Sequence, residues 1–346
     1  MSSNSDKGPA STASTYKPAF HLKRFARANS TQLGIIGVFV ALWIIFIVAA
    51  PQTFLRGQIY YAFMSTVPFF AMMAIPLTMI VIEAEMDLSF PSIMAMGMVA
   101  FLLTYDATSG LANVPLQVFL GFCAALITGT AIGWLNGFIV VKFGIPSLVA
   151  TIGTQFFWRG AVLVLSQGKS GTLNYVKESF LYPALVGKIG GVFPTQMLWL
   201  ILIAVVGWIL LNRHKFGAHV YLIGDNIRSA ELMGIHTGRT RILAFMLVGL
   251  VSAFAGVIAS FHVVYFWPSL GDGKLLPTLA SVFLGGTSVF GGTGTILGTF
   301  LGAFIIGAIE AATVAVGLTG FWTQLIYGLI VVLSVIMHTY LRKRGT

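Results

Sequence analysis

The sequence predicts an all-α, polytopic membrane protein of about ten transmembrane helices, some of them broken or re-entrant. Three observations carry that prediction. Of 346 residues, 57% are hydrophobic and only 9% charged, with a mean hydropathy of +0.91; soluble domains carry about 25% charged residues. Apolar segments then recur from residue 33 to residue 341, and Lys and Arg are distributed unevenly among the links between them. This composition excludes a soluble enzyme, a disordered protein and a nucleic-acid binder, despite a pI near 9.8.

Residues 1–32 are rich in Ser, Thr, Ala and Lys. They read as a disordered cytoplasmic tail closed by the basic patch Lys23, Arg24 and Arg27, and no small-residue cleavage site follows the first apolar stretch. The apolar segments lie at roughly 33–50, 60–82, 88–104, 115–141, 146–166, 193–211, 242–262, 275–290, 293–316 and 320–341. Pro68 and Pro76 interrupt the second, Pro91 falls near the start of the third, and the third and eighth are short for a full span. Short or broken apolar segments tend to line a cavity, where freed backbone groups find protein or water partners. With the N-terminus cytoplasmic and every segment crossing, fourteen of the twenty basic residues lie on the cytoplasmic side and five outside, with Arg159 inside a span. That asymmetry places both termini in the cytoplasm, leaves 342–346 as a short cytoplasmic tail, and makes the +10 net charge a matter of topology. The single cysteine, Cys123, cannot form a disulfide within the chain and reads as a small buried apolar residue.

Small residues recur every four positions at Gly121, Ala125, Gly129, Gly133 and Gly137, and again at Gly294, Gly298 and Gly302. Such stripes let a second helix approach closely and say nothing about substrate. No strand precedes Gly292–Thr293–Gly294, and no Gly-rich loop is followed by Lys, so nucleotide chemistry is not expected in this chain and no cofactor is called for.

Three regions carry polar groups that bear on function. In the fifth segment Ser147, Thr151, Thr154, Gln155 and Trp158 share a helix face beside Arg159; the face serves either interhelical hydrogen bonding or a watery cavity. Arg159 is either functional or structurally paired, with Glu310 in the ninth segment as the candidate partner. Three of the ten acids cluster in Glu83–Ala84–Glu85–Met86–Asp87–Leu88–Ser89, where Asp87 or Ser89 can cap the next helix or mark a helix break near a translocation path. The longest cytoplasmic loop, 212–241, holds Gly224–Asp225–Asn226–Ile227–Arg228–Ser229–Ala230–Glu231–Leu232–Met233–Gly234. There Asp225 or Asn226 is a natural N-cap and Gly234 a natural C′ residue, which predicts a two-turn helix, either merely solvated or a docking element.

From His219 to Ile235 the chain closely resembles the coupling loop of ATP-binding-cassette sugar importer permeases of the ribose type, through His219–Asn226, Ala230 and Gly234–Ile235. Leu284–Gly298 resembles that family's most characteristic run, Asp87–Leu88–Ser89 its third-segment motif, and Thr151–Thr154 with Arg159–Gly160 its fifth. The likeness extends from about residue 33 to 341. It departs where the family has Gly-Gly-Ile before Asp-Leu-Ser and Val-Gly after it: this chain has Ala84–Glu85–Met86 and Phe90–Pro91. The resemblance implies a transmembrane permease domain over 33–341, in the bacterial inner membrane among membrane lipid. It also implies a partner ATPase subunit, a periplasmic sugar-binding protein and a second permease subunit. By it, Gly224, Asp225, Asn226, Arg228, Ala230, Glu231 and Gly234 couple to the ATPase. Asp87, Ser89, Thr151, Gln155, Trp158, Arg159, Thr287 and Ser288 are candidates for the translocation pathway of a monosaccharide or polyol. Trp158, Phe261, Tyr265, Phe266 and Trp267 offer aromatic faces for a sugar. Two other readings compete: an ion-coupled carrier using Glu310 and Arg159, and an importer permease for branched-chain amino acids.

Overall fold

A computed structural model describes residues 30–345, so the tail expected over 1–32 lies largely outside the described residues, basic patch included. Ser30–Gln32 already belong to the first helix, and the last helix continues to Gly345 instead of ending near 341. Thirteen helices build the body: α1 (Ser30–Ala49), α2 (Gly57–Thr66), α3 (Pro68–Ile82), α4 (Phe90–Ala107), α5 (Val114–Phe143), α6 (Ser147–Ser166), α7 (Thr195–Asn212), α8 (Lys215–Asp225), α9 (Ile227–Leu232), α10 (Thr237–Val263), α11 (Leu275–Leu284), α12 (Ile296–Ala315) and α13 (Phe321–Gly345). Short helices at Pro51–Phe54 and Leu181–Val186, and two antiparallel pairs of two-residue strands, complete the links.

Among the described residues six helices, α4, α5, α6, α7, α10 and α12, are long and apolar enough to cross a membrane alone. The pair α2 and α3 makes a seventh, bent by 52° at Val67. The bend falls at Pro68, which opens α3 in the position where its missing N–H costs nothing. Pro76 stays inside α3 without ending it. The third apolar segment is no shorter than a span, since α4 continues to Ala107. The eighth does stay short: α11 has ten residues, about 15 Å of helix.

Helix α3 is the hub, every residue from Pro68 to Ile82 being buried. Against it pack α10, α7, α11 and α12, and α10 in turn lies along α5 and α4. The glycine stripes make these contacts close. A Cβ at Gly129 would meet Ala253 Cβ and the Gly249 carbonyl, one at Gly133 the Phe245 carbonyl, and one at Gly249 the Gly129 carbonyl. The second stripe does the same toward α11, where Gly302 meets the Ser281 carbonyl and Gly298 that of Gly285. Cys123 is half-buried on α5.

Candidate functional site

At one end of the bundle the chain leaves α3 in a turn that glycine would normally occupy. Ala84 adopts φ 61°, with its N–H on Val81 O (3.0 Å) and the Glu85 N–H on Ile80 O (3.1 Å). This is a Schellman termination with alanine in the left-handed position. Residues 85–89 that follow have no regular secondary structure, so their N–H groups need partners from elsewhere. Helix α6 supplies them: Ser147 Oγ accepts from Met86 N–H (2.9 Å) and Thr151 Oγ1 from Leu88 N–H (3.1 Å). One turn further, Ser92 Oγ donates to the Gln155 carbonyl (2.9 Å).

Asp87 and Ser89 are both fully buried. Asp87 Oδ1 accepts the Ser89 N–H (2.7 Å) and its hydroxyl (2.6 Å), and Asn136 Nδ2 on α5 donates to Ser89 Oγ (2.7 Å). Neither side chain caps α4 as the sequence suggested. Ser89 sits at the N-cap position in helical conformation, with its hydroxyl turned back onto Asp87. The cluster is thus a locked turn tying α3, α4, α5 and α6 together. The neighbouring acids differ from Asp87. Glu85 forms an ion pair with Arg241 of α10, while Glu83, 4% exposed, has both carboxylate oxygens without a hydrogen-bond partner among the described residues. Burial pushes the Glu83 carboxyl well above its ordinary range, with Arg241 opposing and Glu85 adding to the shift.

The predicted site residues do not form one constellation. Gln155 and Trp158 each keep a buried polar atom without a partner among the described residues, on the helix face that carries Thr151. Arg159, one turn beyond Gln155 on α6, reaches the Pro91 carbonyl (3.4 Å) in the first turn of α4 and does not pair with Glu310, which is exposed on α12. It donates instead to Asp272 (2.7 Å) and to the carbonyls of Pro268 (2.5 Å) and Leu270 (3.1 Å). The chain between β-residues Tyr265–Phe266 and α11 folds inward there, bringing Gly271 against the Pro91 carbonyl. Phe261 and Phe266 are core residues, 0% and 2% exposed, and offer no face to a solute.

Thr287 and Ser288 belong to the loop between α11 and α12. Thr287 is fully buried with an unpartnered hydroxyl among the described residues, and Ser288 Oγ accepts the Phe290 N–H (3.2 Å). This loop meets the ends of α3 and α8: Gly292 N–H donates to Ile82 O (2.9 Å), and Tyr221 Oη donates to Gly294 O (2.8 Å). Gly224 is wedged between them, where any Cβ would collide with the Ile82 carbonyl.

The 212–241 loop carries two helices, α8, which contains Gly224, and α9 beyond it, where the sequence suggested one. Asn226 caps α9, its Oδ1 accepting the Ser229 N–H (2.9 Å). Gly234 ends it at φ 81°, with Ile235 N–H on Ala230 O (3.1 Å). Ala230 faces inward at 1% exposure, and Glu231 accepts from Thr237 Oγ1 (3.0 Å). Asp225, Arg228 and Glu231 are exposed, as are Leu232 at 85% and Met233 at 67%. Sequence reasoning missed Asn136 and Arg241, and gave Tyr221 no role beyond its place in the His219–Asn226 run. Asn136 alone carried a signal, an amide within the small-residue stretch of α5.

Comparison with known proteins gives a consistent result. The family model described as branched-chain amino acid transport system / permease component matches residues 59–335. The autoinducer 2 import system permease protein LsrC of Klebsiella pneumoniae subsp. pneumoniae is 32% identical over 325 residues, covering 91% of this chain and 88% of that protein. The LsrC proteins of Yersinia enterocolitica and Yersinia pestis (strain Pestoides F) are 30% and 31% identical. They cover 88% of this chain and 80% and 82% of their own lengths. No solved structure matches the chain.

Proposed function

Because the chain belongs to the branched-chain amino acid transport system / permease component family, we propose that it is the inner-membrane permease subunit of an ATP-driven importer for a small sugar or sugar-like solute. The relatives at 30–32% identity are named for import of autoinducer 2, a sugar-like molecule, which favours a polyhydroxylated solute over a branched-chain amino acid. The permease domain spans 33–341, with ten passes made by α1, the α2–α3 pair, α4, α5, α6, α7, α10, the inward-folded link before α11 together with the short α11, α12 and α13. Both termini are cytoplasmic in this reading, which the bias of basic residues toward that side supports. ATP hydrolysis resides in a partner subunit, and a periplasmic binding protein and a second permease subunit complete the machine.

The observation that carries the mechanism is the junction at Gly224. A segment exposing Leu232, Met233, Arg228 and Glu231 is rigidly capped at Asn226 and Gly234, and its preceding helix is pressed onto the end of α3. Force applied to α9 by an ATPase passes through Gly224 to Ile82 and to the glycine loop 285–295, and so to the buried Asp87–Ser89–Asn136 turn. Two arrangements of that turn, stabilised differently by nucleotide on the partner, would open the pathway to either side. Gln155, Trp158 and Thr287, each with a buried polar atom unpartnered among the described residues, are the proposed pathway contacts, together with Thr151 on the same face of α6. Arg159 acts by holding the inward-folded 267–272 turn.

Replacing Gly234 by Pro together with Glu231→Arg tests the docking role. Proline cannot adopt φ 81°, and Arg reverses a charge on the exposed face. Transport and co-purification with the ATPase should both be lost while membrane insertion is kept. Unchanged co-purification would reject the docking assignment.

A further inference from the structure

We propose that Arg241 is a two-position ion-pair switch, bound to Glu85 in the conformation seen here and to Glu83 when the coupling segment is displaced. The inference deepens the docking reading above and rests on it for its driving force. Four observations on the structure converge on it.

Arg241 lies in the first turns of α10, which begins three residues after Gly234, so a displacement of α9 is passed directly to it. Its guanidinium reaches Glu85 through Nη2 alone, and its Nε is buried with no hydrogen-bond partner among the described residues. Glu83 supplies the complementary vacancy: two buried carboxylate oxygens, both unpartnered among the described residues. Burying an ionisable group so is costly unless it is neutralised or paired. Finally, Glu83 and Glu85 flank Ala84, whose left-handed backbone turns the chain between them, and Arg241, while paired with Glu85, also acts electrostatically on Glu83.

Arginine suits this exchange because its five N–H donors can serve one carboxylate while a second is being engaged. When Arg241 holds Glu85, Glu83 is kept neutral by burial. When Arg241 crosses to Glu83, that carboxyl ionises and Glu85, 14% exposed at its side chain, is released toward water. Either arrangement fixes the path of the chain from Ile82 to Asp87, and so the height of the buried turn against α5 and α6. Arg241 and Glu83 are positioning residues in this scheme. They touch no solute.

Two isosteric variants separate the switch from ordinary packing. Glu83→Gln removes the second seat and holds Arg241 on Glu85; Glu85→Gln removes the first and sends it to Glu83. Amide hydrogen exchange of the 80–90 and 215–241 peptides is measured on the full chain in lipid nanodiscs, alone and in complex with its ATPase, with and without ADP–vanadate. Without ATPase, Glu85→Gln should shift the exchange of both peptides while Glu83→Gln leaves them as in the wild type. In the complex, Glu83→Gln should stay in the nucleotide-free pattern after trapping, and Glu85→Gln should show the trapped pattern before it. Shifts of both variants in the same direction, or a wild-type response in both, would overturn the switch. Failure of the wild-type chain to bind the ATPase would reject the docking reading instead, while the comparison without ATPase still decides the switch.

Discussion

Arg159 is held chiefly by backbone carbonyls, those of Pro268 and Leu270, on the inward-folded turn before α11. Its acidic partner Asp272 has a side chain 58% exposed, so that ion pair is screened by solvent. Arg159→Met should therefore cost about 2–4 kcal/mol by leaving buried acceptors unpaired, and Asp272→Asn less than about 1 kcal/mol; unfolding in detergent micelles measures both. Equal losses would contradict this division. Ala84 carries a residue-scale cost of the opposite kind, since its φ of 61° is glycine's territory. Ala84→Gly should raise stability by about 1 kcal/mol. Arg159 also shows where reading the sequence stops. Helical spacing put it beside the polar face of α6, but its partners come from a link that folds into the bundle, and no periodicity reports that.

At the scale of elements, the four-residue glycine spacing made the α5–α10 contact legible, because backbone-to-backbone approach tolerates only small residues at each turn. Gly129→Ala or Gly249→Ala should destabilise the protein by about 1–3 kcal/mol through overpacking. Gly153→Ala, with open space around the position, should cost little. The capped coupling helix was legible too, since Asn226 and Gly234 carry local signals. Helix α8 was not: its eleven residues look like loop until the Gly224–Ile82 contact explains why they pack. Pro76 misled in the other direction. Within a helix buried on all sides, tertiary packing outweighs the lost hydrogen bond.

For the whole molecule, composition was enough to identify a membrane bundle, and the apolar segments predicted most of its long helices to within a few residues, though not the start of α10 or the end of α11. The assembly of the site was not legible, because it depends on which helix ends meet. Ile82, Gly224, Gly292, Arg241, Asn136 and Ser147 converge at one end of the bundle from six separate parts of the chain. That convergence is what makes an externally driven permease the best account of the fold. The most direct test is the energy source for uptake, followed in cells producing the chain with its partner subunits and supplied with labelled autoinducer 2 and a panel of monosaccharides and polyols. Uptake of one of these should continue after the proton and sodium gradients are collapsed and stop when ATP is depleted. Uptake that stops with the gradients while ATP remains high would contradict the account.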